Sequence, residues 1–107
     1  MTNTYIIVLI TVPSQEVGGK IANKLLEDKL AACVNILPAI DSHYIWKGDI
    51  YNDEEVLLII KSQIDLFEAG IVPAVKSIHP YKVPEIIALP IIAGNPEYLD
   101  WIREVTK

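Results

Sequence analysis

The chain has 107 residues, enough for one core, so residues 1–107 are expected to fold as a single domain. Nine basic residues against fourteen acidic ones leave a formal charge of −5 with no basic run, which sets nucleic-acid binding aside. Cys33 is the only cysteine, so a disulfide framework, a zinc ribbon or a CxxC redox pair within one chain is excluded.

Met1 to Thr4 lacks a basic leader and runs straight into Tyr5–Ile10, so no signal peptide is expected and the cytoplasm is the expected compartment. Apolar residues make up 51% of the chain, yet that run is the longest, six residues against the ~20 that span a bilayer. No membrane partner is expected. Tyr5–Ile10 is short and β-branched, and predicts a strand buried on both faces. Ser14 is a suitable N-cap for a helix whose apolar stripe is Val17, Ile21, Leu25 and Leu26. Gly18-Gly19 weakens that helix and suggests close backbone packing; the spacing of a nucleotide-binding fingerprint is absent.

Ala31–Leu37 reads as a second strand that Pro38 interrupts or bulges. Ser42–Trp46, a turn at Lys47-Gly48-Asp49 and a strand resuming at Val56–Ile60 make a long hairpin with Gly48 near its tip. The acidic stretch Asp49–Glu55 lacks the ligand spacing of a calcium loop and reads as the solvated part of that hairpin. Asp65 with Glu68 resembles a capping box for a helix along Ile64, Phe67, Ile71, Val75 and Ile78, which Pro73 should break or kink near Gly70. Ile86–Ile92 is a fourth strand, and Pro90 assigns it to a sheet edge. Asn95-Pro96 opens a last helix with Tyr98, Leu99, Trp101, Ile102 and Val105 on its apolar face. The order β-α-β-β-α-β plus a terminal helix is the α+β, ferredoxin-like plait: an antiparallel four-stranded sheet with two helices on one face.

Such a sheet standing alone should alternate apolar and polar residues, and these strands do not. Another copy of the chain is therefore expected to cover the open face.

His79-Pro80-Tyr81 followed by Val83-Pro84-Glu85 is the stretch richest in chemistry, with two prolines directing an imidazole, a phenol and a carboxylate. Imidazole and carboxylate together suit Cu²⁺ or Zn²⁺; equally, His79 can end the helix and Glu85 satisfy a backbone donor. Cys33, in an apolar strand, reads first as a buried core residue. His43 with Asp41 reads as a solvated pair, and Tyr44, Trp46, Tyr51, Tyr81 and Trp101 as packing or interface residues. No catalytic motif is present.

In Lys29–Ile36, Tyr44–Ile50, Glu55–Lys61, His79–Ile86, Gly94-Asn95 and Tyr98–Trp101 the chain resembles the CutA family of divalent-cation tolerance proteins. The resemblance implies a ferredoxin-like fold assembled as a homotrimer, similar in architecture to the PII signalling proteins, and a link to tolerance of copper and other divalent ions. Copper ligands proposed in that family fall here on Ile10, Ile78 and Glu85, two of them apolar, so that site cannot form. The remaining candidate ligands are His79, Glu85 and Cys33, with no cofactor required. The expected function is a non-enzymatic, trimeric tolerance protein that binds divalent cations weakly. The alternative is a PII-like module holding a small anion or nucleotide in inter-subunit clefts near Trp46, Lys61, Tyr81 and Lys82. A third is a purely structural interaction partner.

Overall fold

Alternation along the first strand decides which way the sheet faces. In β1, Tyr5–Val12, the residues Ile6, Val8, Ile10 and Val12 are buried while Tyr5, Ile7, Leu9 and Thr11 are only half-buried. The computed structural model describes residues 4–107, so Met1 to Asn3, expected to lead into β1 without a signal segment, lie outside the described residues. β1 pairs antiparallel with β3, Asp49–Gln63, and on its other edge with β4, Ile86–Pro90. With β2, Cys33–Trp46, outside β3, the strand order is β2-β3-β1-β4.

Helix α1, Gln15–Glu27, begins as expected: Ser14 Oγ accepts from the Val17 amide at 3.2 Å. Gly18 explains half of the glycine pair. A Cβ there would stand 3.1 Å from Leu58 Cδ2, so glycine lets the helix settle on the sheet, whereas Gly19 meets nothing. Ile21 and Leu25 join Ile71 and Val75 over Val8, Ile10, Leu58 and Ile60 to make the core on one face.

The second helical segment is broken near Gly70, as its proline requires, but it does not start on the expected capping box. A 3-10 turn at Ile64–Leu66 and a π turn at Phe67–Ile71 precede the short helix α2, Val72–Lys76, with Pro73 in its first turn. Asp65 is not the cap, because it lies inside the 3-10 turn: the N-cap is the extended Gln63, whose side chain makes no cap bond, and the Ile64 amide is committed to the Thr4 carbonyl. The wider turn moves the helix start to Val72, where a proline removes no needed donor.

β4 ends at Pro90, two residues short of the predicted strand, and is an edge strand as its proline requires. Helix α3, Pro96–Val105, starts on Asn95, which accepts from the Glu97 amide at 3.1 Å. Of its apolar face only Ile102 is fully buried; Tyr98 and Trp101 stay exposed against one another. The Gln63 side chain donates to Thr106 Oγ1 and Arg103 lies over the Tyr5 ring, so α3 docks at the Tyr5–Gln63 end of the sheet.

Two features leave apolar surface uncovered. By register, Leu37, Leu57, Ile59, Ile7, Leu9, Ile87 and Leu89 share the face away from α1 and α2, and Leu37, Ile87 and Leu89 are exposed there. The last β1–β3 pair is Val12 with Val56, so Ile40–Trp46 and Asp49–Glu55 continue without β1 as a two-stranded arm. Seven residues at about 3.3 Å make it roughly 23 Å long. The accessible surface is 6647 Å² and the radius of gyration 14.3 Å. A compact chain of this size would have about 6,000 Å² and about 13 Å.

Candidate functional site

Register builds the site. Lys47 and Gly48, both at positive φ, form a two-residue turn that pairs Trp46 with Asp49, and hence Tyr44 with Tyr51 and Ser42 with Asp53. A bulge between Leu37 and Ile40, with Ala39 at φ 63, resets the strand where the arm leaves the sheet. The Tyr44 and Tyr51 rings stack at 5.6 Å, and the Tyr44 phenol donates to Asp53. Asp53 as acceptor, with the carboxylate charges nearby, pushes the Tyr44 phenol up to about 12.

The loop after α2 closes one side. His79 is 7% exposed, and its Nε2 lies 2.7 Å from the Thr11 carbonyl oxygen. A carbonyl only accepts, so Nε2 carries the proton, while Nδ1 accepts from the Tyr81 amide at 3.2 Å. Both ring nitrogens are occupied. The imidazole is a buckle between β1 and the loop, aiming Tyr81 at the arm, where its phenol donates to Glu55 Oε2 at 2.6 Å. Burial, then the bond and charge of Glu55, raise the Tyr81 phenol well above its ordinary value.

Between loop and arm lies a cleft of about 760 Å³. Its aromatic lining is Tyr44, Trp46, Tyr51 and Tyr81; its carboxylates are Asp41, Glu55 and Glu85; Lys82 is the one lysine. The sequence reading brought Trp46, Tyr81 and Lys82 together in a cleft but missed Tyr51 and Glu55 by treating Asp49–Glu55 as a solvated stretch. The signal that could have found them was the two-residue turn, which fixes the register.

The three candidate ligands are not gathered. Glu85 lines the cleft and is exposed, while His79 is buried with its nitrogens engaged. Cys33, expected in the core, is half-buried on the open face beside Asn35, in register with Lys61 and Ile7. That row stands four β1 residues from Thr11, about 13 Å along the strand. Burial and then the Cys33 thiol raise the Tyr98 phenol above its ordinary value. Among the described residues no three His, Cys, Asp or Glu side chains are grouped to hold a metal. Lys61, expected with Trp46, Tyr81 and Lys82 in a cleft between subunits, donates to Asn35 on the open sheet face and does not line this cleft within one chain. No helix of the described residues is long and apolar enough to cross a membrane.

The sequence model of one protein family, described as CutA1 divalent ion tolerance protein, matches residues 6–105. The divalent-cation tolerance protein CutA of Thermus thermophilus is 54% identical over 94% of this chain and 96% of its own length. A chloroplastic CutA protein of Arabidopsis thaliana is 48% identical over 95% of this chain, which spans 56% of that relative's length. The solved structure of the Thermus thermophilus protein superposes with a TM-score of 0.93 at 52% identity, covering 96% of this chain and 99% of that one.

Proposed function

The chain belongs to the CutA1 divalent ion tolerance family, and from that premise we propose that it is a non-enzymatic tolerance protein working as a homotrimer and meeting divalent cations weakly. The observation that carries this reading is the family match across residues 6–105. The uncovered sheet face and the arm support self-association, since a lone two-stranded ribbon bearing exposed Ile45 and Ile50 is marginal in water.

Weak, transient ion contact follows from the donors available. Glu85 is the proposed carboxylate contact, and Cu²⁺ or Zn²⁺ the proposed ions. His79 could ligate only by giving up the Thr11 and Tyr81 bonds, and Cys33 only from the opposite end of the sheet. No resident cofactor is proposed. Three cleft carboxylates against one lysine disfavour the anion-binding alternative.

Native mass spectrometry of the purified protein, with Cu²⁺ and Zn²⁺ titrated beside Glu85→Ala, His79→Ala and Cys33→Ala, tests both parts. A trimer whose weak ion uptake falls in Glu85→Ala is expected. A monomer, or uptake unchanged in all three variants, would reject the proposal.

A further inference from the structure

One row of the sheet carries three changes at once. Val12 with Val56 is the last pair that β1 makes with β3, and the arm begins there. Opposite Val56, β2 carries two residues where a regular ladder has one. Leu37 pairs with Leu57 and Ile40 with Glu55, which leaves Pro38 and Ala39 between them. Ala39 stands at φ 63.

That conformation suits other residues better than alanine. Left-handed backbone crowds a Cβ, so glycine, or asparagine with its local hydrogen bonds, is the usual occupant. Among the described residues the other non-glycine positions at positive φ have customary places: Lys29 follows the end of α1, and Lys47 is in the hairpin turn. Ala39 lies inside a strand, and a methyl group offers no hydrogen bond to hold it there. Pro38 has its φ fixed by the ring, and a positive φ follows it, the order found at the centre of a type II turn. The kink is set up by Pro38 and completed against the preference of Ala39. Such strain persists where the surrounding structure requires the shape.

What the shape decides is the direction of the arm, because a bulge bends its strand and adds twist. Over an arm of about 23 Å, a change of roughly 20° at the root carries the tip about 8 Å, against about 4.8 Å between paired strands. Exposed Ile45 and Ile50 would then leave any surface they meet. We infer that the Pro38–Ala39 bulge aims the arm, and that this direction, held by a strained Ala39, sets the size of the assembly that copies of the chain form. The inference rests on the self-association reading and adds the residues that govern it.

Three variants, compared by sedimentation velocity and urea unfolding, test it. Ala39→Gly keeps the bulge and relieves the crowding, so the parent's assembly with a higher urea midpoint is expected. Ala39→Val puts a β-branch where it is least tolerated. Its midpoint should fall, and it should dissociate at a protein concentration about tenfold or more above the parent's. Deleting Ala39 together with Pro38→Val leaves one residue opposite Val56 and keeps every arm pair in register. That protein should retain the parent's far-UV spectrum and sediment as a smaller or mixed species. If it unfolds, the glycine and valine variants decide alone. A deletion variant that assembles like the parent, an Ala39→Val indistinguishable from the parent, or a lowered midpoint in Ala39→Gly would overturn the inference. A parent that sediments as a single chain would overturn the self-association reading, and this inference with it.

Discussion

Strand β3 passes through two environments, and the contrast between them is the main lesson of the molecule. From Val56 to Gln63 it lies between β1 and β2, and Val56, Leu58, Ile60 and Ser62 are buried under the helices. From Asp49 to Glu55 it keeps β2 as a partner but has lost β1, and Ile50 is 81% exposed. Antiparallel pairing with β2 runs through both halves, reset once by the bulge between Leu37 and Ile40. What differs is whether this chain supplies a second layer, so apolar residues in the arm serve some surface other than the chain's own core.

The largest effects should come from the covered half. Leu58→Ala or Ile10→Ala removes a fully buried side chain between sheet and helices and should cost about 2–5 kcal/mol, read as a lower urea midpoint. The same kind of change in the arm should do something else. Ile50→Asp should keep the far-UV spectrum of the parent while sedimenting as a smaller species, because the residue contributes to contact between chains and not to the core. An Ile50→Asp protein that assembles like the parent would remove the arm from the interface.

The boundary between the halves is held by His79. His79→Ala leaves the Thr11 carbonyl and the Tyr81 amide without their partner and should cost about 1–3 kcal/mol in urea unfolding. The loop holding Tyr81 against Glu55 should loosen with it, so protease cleavage near Tyr81 should quicken more than cleavage elsewhere. Equal cleavage of parent and variant would mean that the prolines alone hold the loop.

The covered half was the more legible in sequence. Burial writes a period-3.6 stripe into α1, and β1 and the inner part of β3 stand out as short, β-branched apolar runs. Asp65 misled because a capping box is local chemistry, and the tertiary bond from Ile64 to Thr4 overruled it. The arm carries no such pattern, because its apolar residues are not sorted by an internal core. Its cleft depends on Tyr44, Asp53, Glu55 and Tyr81 meeting across register and a loop, which a turn type can suggest but composition cannot.

The smallest expected effect tests that register at the outer end of the cleft. The Tyr44 phenol, bonded to Asp53, is pushed up to about 12 from an ordinary value near 10. A raised value in the folded state means that the native chain keeps a proton the unfolded chain releases first. The stabilisation from this bond is therefore fully present below pH 10 and is lost as pH rises through about 12. Ultraviolet titration of phenolate should show a late-ionising component in the parent, and Asp53→Asn should shift part of it to lower pH by weakening the hydrogen bond to the carboxylate and removing its charge. If the Asp53→Asn titration overlays the parent, Tyr44 and Asp53 are not joined, and the register set by Lys47 and Gly48 is wrong in the one place where it makes the cleft.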